Sequence, residues 1–394
     1  MIIVTIVCHI WHAFYPADVG GVERYILNLS DFLSQQGQNM HFLLLTDRSS
    51  VGFWKTSLIP KCERINSLEV HRLGPGLPSL FEKASCKLFQ RNFKIFENLL
   101  TMDLFKEAAS IREIDKVDVF HVHGFWQPLY PTIGLMLSQR FQRPLVVTLH
   151  GDSVDYRDPY SMPIRSPSTL SVLRHADVVT TYSKKTLNML QELGLGKKSR
   201  LVPNFVDTKS FNRPASTRNG SGNRAVMVSR LSKAKDPISA IRAFSLVRKE
   251  VPEATLQIVG DGPLYEHANN LIQEMNLTGA VTLIGMKSDV RRFLWNSDVF
   301  IGTRGSYIAT LEAWAAGLAV IAPDFGIMKE VISDGENGLL VEPGNVNQLA
   351  SAIISLMKNR VFRTKIAANS LQALRKHDIR SVASSIADIY KSLK

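Results

Sequence analysis

Cysteine is scarce: the 394-residue chain has three, Cys8, Cys62 and Cys86, far apart and without a Cys-x-x-Cys pair. This excludes a disulfide-stapled scaffold and a cysteine zinc module, and it fits a reducing compartment. No stretch approaches the roughly 18 to 20 uninterrupted apolar residues that cross a bilayer, so any membrane contact is expected to be peripheral. The apolar start, Met1 to Cys8, lacks the basic leader and cleavage site of a signal peptide and runs straight into His9 and His12, so it reads as a first β-strand. There is no repeat of about 20 to 50 residues, no low-complexity segment, no Asp-x-Asp and no paired ligand spacing among the histidines. Acidic residues are also in deficit: 35 against 47 Lys and Arg, a formal charge of +12. Such a surface attracts polyanions, anionic lipid or phosphorylated ligands, although no aromatic-interleaved basic patch supports nucleic acid.

The composition that remains, 45% hydrophobic and 21% charged, is that of a globular chain, and the length predicts two domains. Short apolar runs alternate with amphipathic helical stretches, which predicts an α/β class with parallel sheets. Expected strands in the first half are 2–8, 40–46, 117–121, 145–149, 178–181 and 199–202, and in the second half 225–228, 255–259, 281–284, 299–301 and 319–321. Helices fill the gaps, among them 21–36, 237–247, 265–275 and 308–316. Residues 212–223 are polar and rich in breakers, so the domains are expected at 1–205 and 206–375, meeting within 204–224. Residues 376–394 add a basic amphipathic helix able to pack on either half.

Three segments follow strands and carry chemistry. Asp18-Val-Gly20-Gly21-Val-Glu23-Arg24 opens the first helix, where free amides and a positive dipole end suit a diphosphate, although a plain strand-to-helix turn fits as well. In Ser229-Arg230-Leu231-Ser-Lys233-Ala-Lys235, Arg230 can fork two donors to phosphate oxygens and Lys235 adds a point charge; a solvated basic loop is the plainer account. In the third, Gly302 to Ile321, a glycine-bearing loop runs into a helix holding one carboxylate, Glu312, among apolar neighbours. A buried Glu needs a partner, which ribose hydroxyls, backbone amides or an Arg would supply.

With these segments in order, the chain resembles glycosyltransferase family 4, whose members have the GT-B fold of two Rossmann-like domains facing across a cleft. The resemblance rests on Gly20-Gly21-Val-Glu-Arg, Val202-Pro203-Asn204-x-Val206-Asp207, Ser229-Arg230-Leu with Lys235, Val259-Gly260-Asp261-Gly262-Pro263, and Leu311-Glu312-Ala through Gly338-Leu-Leu-Val. It implies a retaining, metal-independent enzyme that moves a sugar from a nucleoside-diphosphate sugar, UDP by family habit, to a glycan or lipid-linked acceptor. No cofactor is implied beyond the donor substrate. The same resemblance gives Arg230 and Lys235 the diphosphate, Glu312 the ribose, Met286 and Lys287 after Gly285 the base, Gly20 and Gly21 closure over the phosphates, and His150 a place at the reacting sugar. Gly262 and the run Arg304, Gly305, Ser306, Tyr307 and Ile308 complete the expected donor contacts. Cytoplasmic cell-surface or exopolysaccharide synthesis is the expected setting.

One departure matters. Eight positions before Glu312 the family has a second Glu that accepts donor-sugar hydroxyls, and here it is Arg304, which can only donate. A carboxylate-bearing donor sugar, an Arg paired with a protein acid, or lost catalysis would each account for it. Arg304 keeps open a noncatalytic nucleotide-sugar-binding protein, and a nucleotide-sugar epimerase stays open as another activity of the same fold. His121 and His123 end another strand of the first half, and His123 and Trp126 are placed either to meet acceptor or to pack. Phe89, Phe93, Phe96 and Leu100, ringed by Lys83, Lys87, Arg91 and Lys94, form either a core helix or one that lies on an anionic membrane.

Overall fold

The computed structural model describes residues 5–11, 21–36, 39–47, 60–74, 93–125, 129–151, 166–214 and 222–394. The chain divides into two compact units, Met1–Asn204 together with Arg380–Lys394, and Phe205–Ile379.

The first unit holds β1 (Thr5–Ile10), β2 (Met40–Asp47), β3 (Cys62–Ile65), β4 (Leu68–Leu73), β5 (Val119–His123), β6 (Leu145–Leu149), β7 (Val178–Thr181) and β8 (Ser199–Leu201). They form one sheet in the order β3-β4-β2-β1-β5-β6-β7-β8. All neighbours run parallel except β3 against β4. Strands β5, β6 and β7 are buried at every position, as helix-covered parallel strands must be. The β3–β4 pair escapes a search for apolar runs, because its residues alternate in burial and only β4 contributes core side chains, Leu68, Val70 and Leu73.

Two differences from the predicted strands bear on chemistry. β1 extends to Ile10, and its His9 pairs in register with Leu44 on one side and His121 on the other. β5 sits two residues later than the apolar run suggested, which places His121 and His123 inside the strand and on one face of it.

The second unit holds β9 (Arg224–Val228), β10 (Thr255–Val259), β11 (Val281–Gly285), β12 (Val299–Ile301), β13 (Ala319–Pro323) and β14 (Leu339–Val341), in the order β11-β10-β9-β12-β13-β14. Every pairing is parallel. At three residues, β14 is too short to announce itself by pattern. The helix Pro237–Glu250 follows β9; Asp236 caps it by accepting from the Ser239 amide at 3.2 Å, and Pro237 fills its first turn. Ile241, Phe244 and Val247 carry its apolar face into the core with Leu256 and Ile258.

In each sheet one strand marks where the winding reverses: β1 between β2 and β5, and β9 between β10 and β12. The crevice past the carboxyl end of such a strand is where open α/β sheets take ligands. The polar stretch near 204–224 is not all linker, since Thr208–Phe211 is helical within the second unit. The last helix, Ile379–Ser392, buries Val382, Ala383, Ile386, Ala387 and Tyr390, a stripe at helical spacing, and from Arg380 onward it belongs to the first unit.

Candidate active site

In the second unit the chemistry collects past the carboxyl ends of β9 and β12, which are hydrogen-bonded neighbours. Leaving β9, the Ser229 amide donates to the Val259 carbonyl at 3.1 Å, and the Leu231 amide to that of Asp261 at 2.9 Å. The glycines of Val259-Gly260-Asp261-Gly262 are required by this lacing. A Cβ on Gly260, whose φ is +145°, would lie 1.9 Å from the Ser229 carbonyl oxygen, and one on Gly262 2.5 Å from that of Leu231. Gly262, expected to touch the donor, thus has a backbone reason of its own. The loop it straps presents Arg230 exposed.

Lys235 ties this loop to the next. Its Nζ donates to the Gly305 carbonyl, and its own carbonyl accepts from the Thr303 hydroxyl. Gly305 is left-handed at φ +48°, and a Cβ there would meet Lys235 Nζ at 2.9 Å. Past it begins the helix Tyr307–Ala315, in which Glu312 is 5% exposed. Ser306 is buried with its hydroxyl unpartnered, and Tyr307 is buried with its hydroxyl 3.4 Å from His377 Nδ1. Ile308 is half-buried on the first turn. Arg304 is half-buried, and no acid among the described residues pairs with it. Met286 is 63% exposed and Lys287 is exposed, just past the end of β11.

In the first unit, β1, β5 and β6 bury a cluster of imidazoles toward their carboxyl ends. His9 Nδ1 lies 2.8 Å from His123 Nε2, and His123 Nδ1 lies 3.0 Å from His150 Nε2. His121 contacts the Tyr390 hydroxyl through Nδ1 and the Thr148 hydroxyl through Nε2, each at 2.6 Å. His9, His121 and His123 are essentially sealed from water, and His150 is 7% exposed. Burial drives His9 and His150 down to about 3; His121 and His123 lie well below the usual imidazole range for the same reason, with like-charge repulsion from the other histidines added. All four are neutral at pH 7. Tyr25, on the helix Gly21–Gln35, sets its ring edge against His150 at 4.8 Å, and Glu23 of the same helix accepts from the Trp11 indole at 2.8 Å.

The spacing argument against paired histidine ligands misses an alternation: His121 and His123 share a strand face, and β1 brings His9 beside them, so their nitrogens lie within 4.8 Å of one another. Ligands on one zinc stand at about 2.0 to 2.1 Å from the metal, each offering a bare lone pair. Here the nitrogens are already committed to one another, to Tyr390 and to Thr148, save for His9 Nε2. His121 and His123 are interior, so of the two roles held open for His123 the packing one fits. Gly20 and Trp126 lie outside the described residues, as do Lys83, Lys87, Phe89, Arg91 and the side chains of Phe93, Lys94 and Phe96; Gly21 is the exposed first residue of its helix. Sequence reasoning gave His9, Tyr25 and Tyr390 no place in a site. Only the His-x-His alternation signalled the cluster.

A model of glycosyltransferase family 4 matches residues 19–210, and one of group 1 glycosyl transferases matches residues 208–373. The chain belongs to glycosyltransferase family 4. Among this family 4 chain's curated relatives, the poly(glycerol-phosphate) alpha-glucosyltransferase of Bacillus subtilis is 33% identical over 39% of this chain, which spans 24% of that relative's length. The N-acetyl-alpha-D-glucosaminyl L-malate synthase of Bacillus anthracis is 26% identical over 78% of this chain and 84% of its own. Of solved structures, HepE of Anabaena in complex with UDP superposes with a TM-score of 0.70 at 20% identity, covering 99% of this chain and 100% of that one. The fold is GT-B, and the protein is a glycosyltransferase of hexosyltransferase type.

Proposed function

We propose that this enzyme moves a hexosyl group, with retention of anomeric configuration and without a metal ion, from a UDP-sugar to a glycan or lipid-linked acceptor in cell-surface or exopolysaccharide synthesis. The observation that carries this reading is the seating of Lys235 on the Gly305 carbonyl, one loop from the exposed Arg230, at the crevice of the second sheet. Two cations held there answer the charge that grows on a departing diphosphate, and fixed cations do so without reorganising. Glu312, on the adjoining helix, suits a pair of ribose hydroxyls, and the exposed Met286 offers an apolar face to a base. The UDP bound by HepE and the glucosyl transfer named for the Bacillus subtilis relative support the donor class. Arg304, which pairs with no acid among the described residues, favours a donor sugar that carries a carboxylate, such as a uronic acid.

No described helix is long and apolar enough to cross a membrane. Leu99 and Met102, three apart on the helix Phe93–Ala109, are 61% and 42% exposed, which supports peripheral contact with an anionic cytoplasmic membrane face. The test is a panel of sugar nucleotides, read by thermal shift and by release of nucleoside diphosphate, with chelator present. Arg230→Ala and Lys235→Ala should each lower kcat/KM by about 10²- to 10³-fold. Turnover that needs a divalent ion would remove the metal-free mechanism. Conversion of the donor to an epimer without transfer, or binding without turnover, would replace the reading with one of its alternatives.

A further inference from the structure

The row His9, His123, His150 has a direction, and the direction decides what His150 can do. A neutral imidazole has one N–H and one lone pair. His123, in the middle, engages both ring nitrogens, so it donates to one neighbour and accepts from the other. Both hydrogen bonds therefore point the same way along the row, and only two arrangements exist.

The sealed end chooses between them. His9 is fully buried, its ring stacks on Phe42 with centroids 5.5 Å apart, and its Nε2 has no partner among the described residues. If the row ran from His150 toward His9, that nitrogen would carry a buried N–H with no acceptor. Run the other way, it carries only a bare lone pair. Orphaned buried N–H groups are the rarer and costlier defect. His9 therefore donates from Nδ1 to His123, His123 donates from Nδ1 to His150 Nε2, and the proton of His150 sits on Nδ1.

From these observations we propose that His9 and His123 are positioning residues that hold His150 as a neutral donor, presenting Nδ1–H to the transferring group and unable to act as a general base. The role rests on the glycosyl-transfer reading above. The lone pair of His150 is occupied by His123, and Nδ1 has no protein partner among the described residues. Among the described residues no ion pair reaches the three rings. Tyr25 faces His123 and His150 from the first helix, Phe42 faces His9 from β2, and His121 lies against His9 and His123 while its own nitrogens meet Tyr390 and Thr148; Glu23, two residues before Tyr25, accepts from Trp11. The burial that keeps each imidazole uncharged agrees. Because the row ends blind at His9, it cannot conduct a proton through the domain; it can only fix a tautomer and polarise the N–H at its open end.

The experiment is ¹⁵N NMR of histidine-labelled full-length protein, with the His150 signals identified by their loss in His150→Asn. The expected result is a proton on Nδ1 and none on Nε2, unchanged between about pH 5 and pH 8. In His9→Phe the lock is gone, and His150 should show a mixture of both tautomers, with kcat reduced and the donor KM held. Asn at 150 carries its amide where Nδ1 sits and Gln where Nε2 sits, so His150→Asn should keep activity at least about tenfold above His150→Gln. An Nε2–H tautomer or an imidazolium in the unsubstituted protein overturns the proposal, as does a Gln variant that outperforms Asn. Absence of turnover with every sugar nucleotide would strike the glycosyl-transfer reading instead, while the tautomer would still be read.

Discussion

His121 and Tyr390 share a buried hydrogen bond of 2.6 Å although 269 residues separate them. The phenol comes from the last helix, which thereby closes over the middle of the first sheet. Burial raises the Tyr390 hydroxyl well above its usual range, so it remains a phenol at any pH the fold survives.

Tyr390→Phe keeps the ring and removes only the hydroxyl. His121 Nδ1 is then left sealed and unsatisfied, at a cost of about 1 to 3 kcal/mol. Urea denaturation should show the midpoint lowered with its slope unchanged, and an unshifted midpoint would mean that the contact contributes nothing.

Four neutral histidines also set an acid limit. A group whose folded pKa is depressed binds fewer protons folded than unfolded, so its contribution is present above the unfolded value of 6.5 and is lost as pH falls toward about 3. Each group fully in this window costs about 1.4 kcal/mol per pH unit. Between pH 6 and pH 5, above the range where carboxylates take up protons, stability should fall more steeply than one group allows. A flat profile there would show that the cluster is protonated or hydrated when folded.

The glycines of the Arg230 strap give a clean contrast. Gly260→Ala drives a methyl group into the Ser229 carbonyl and should cost about 3 kcal/mol. Gly317→Ala, at φ +76° with open space around it, pays only for its backbone conformation, about 1 kcal/mol. Equal losses for the two would show that the strap gives way.

Arg304→Glu restores a hydroxyl acceptor where the chain now has a donor. Turnover of uronosyl donors should fall by about 10²-fold or more while neutral hexosyl donors gain, each followed by release of nucleoside diphosphate. An unsubstituted enzyme that never accepts an acidic donor sugar removes this account of Arg304.

Much of the fold is legible in the sequence. Strands 145–149, 178–181 and 299–301 stand where the apolar runs put them, because a parallel strand buried on both faces writes most of its length in apolar and β-branched residues; 255–259 stands there too, although Thr255 and Gln257 are only half-buried. β3, β4 and β14 do not, being half-exposed or three residues long. In the second unit, Arg230 and Lys235 are local to one loop and could be found by eye. The contact of Lys235 with Gly305 could not, since it depends on β9 and β12 lying side by side.

Sequence alone settled what depends on near neighbours: the alternation of strand and helix, the basic loop after β9 and the carboxylate of the helix after β12. The protonation geometry of the histidines was decided only by tertiary structure. His9 and His123 are 114 residues apart and His123 and His150 are 27 apart, and sheet order makes them a row. A histidine's tautomer belongs to its partners rather than to the residue, and no local pattern records partners that the chain reaches only by folding.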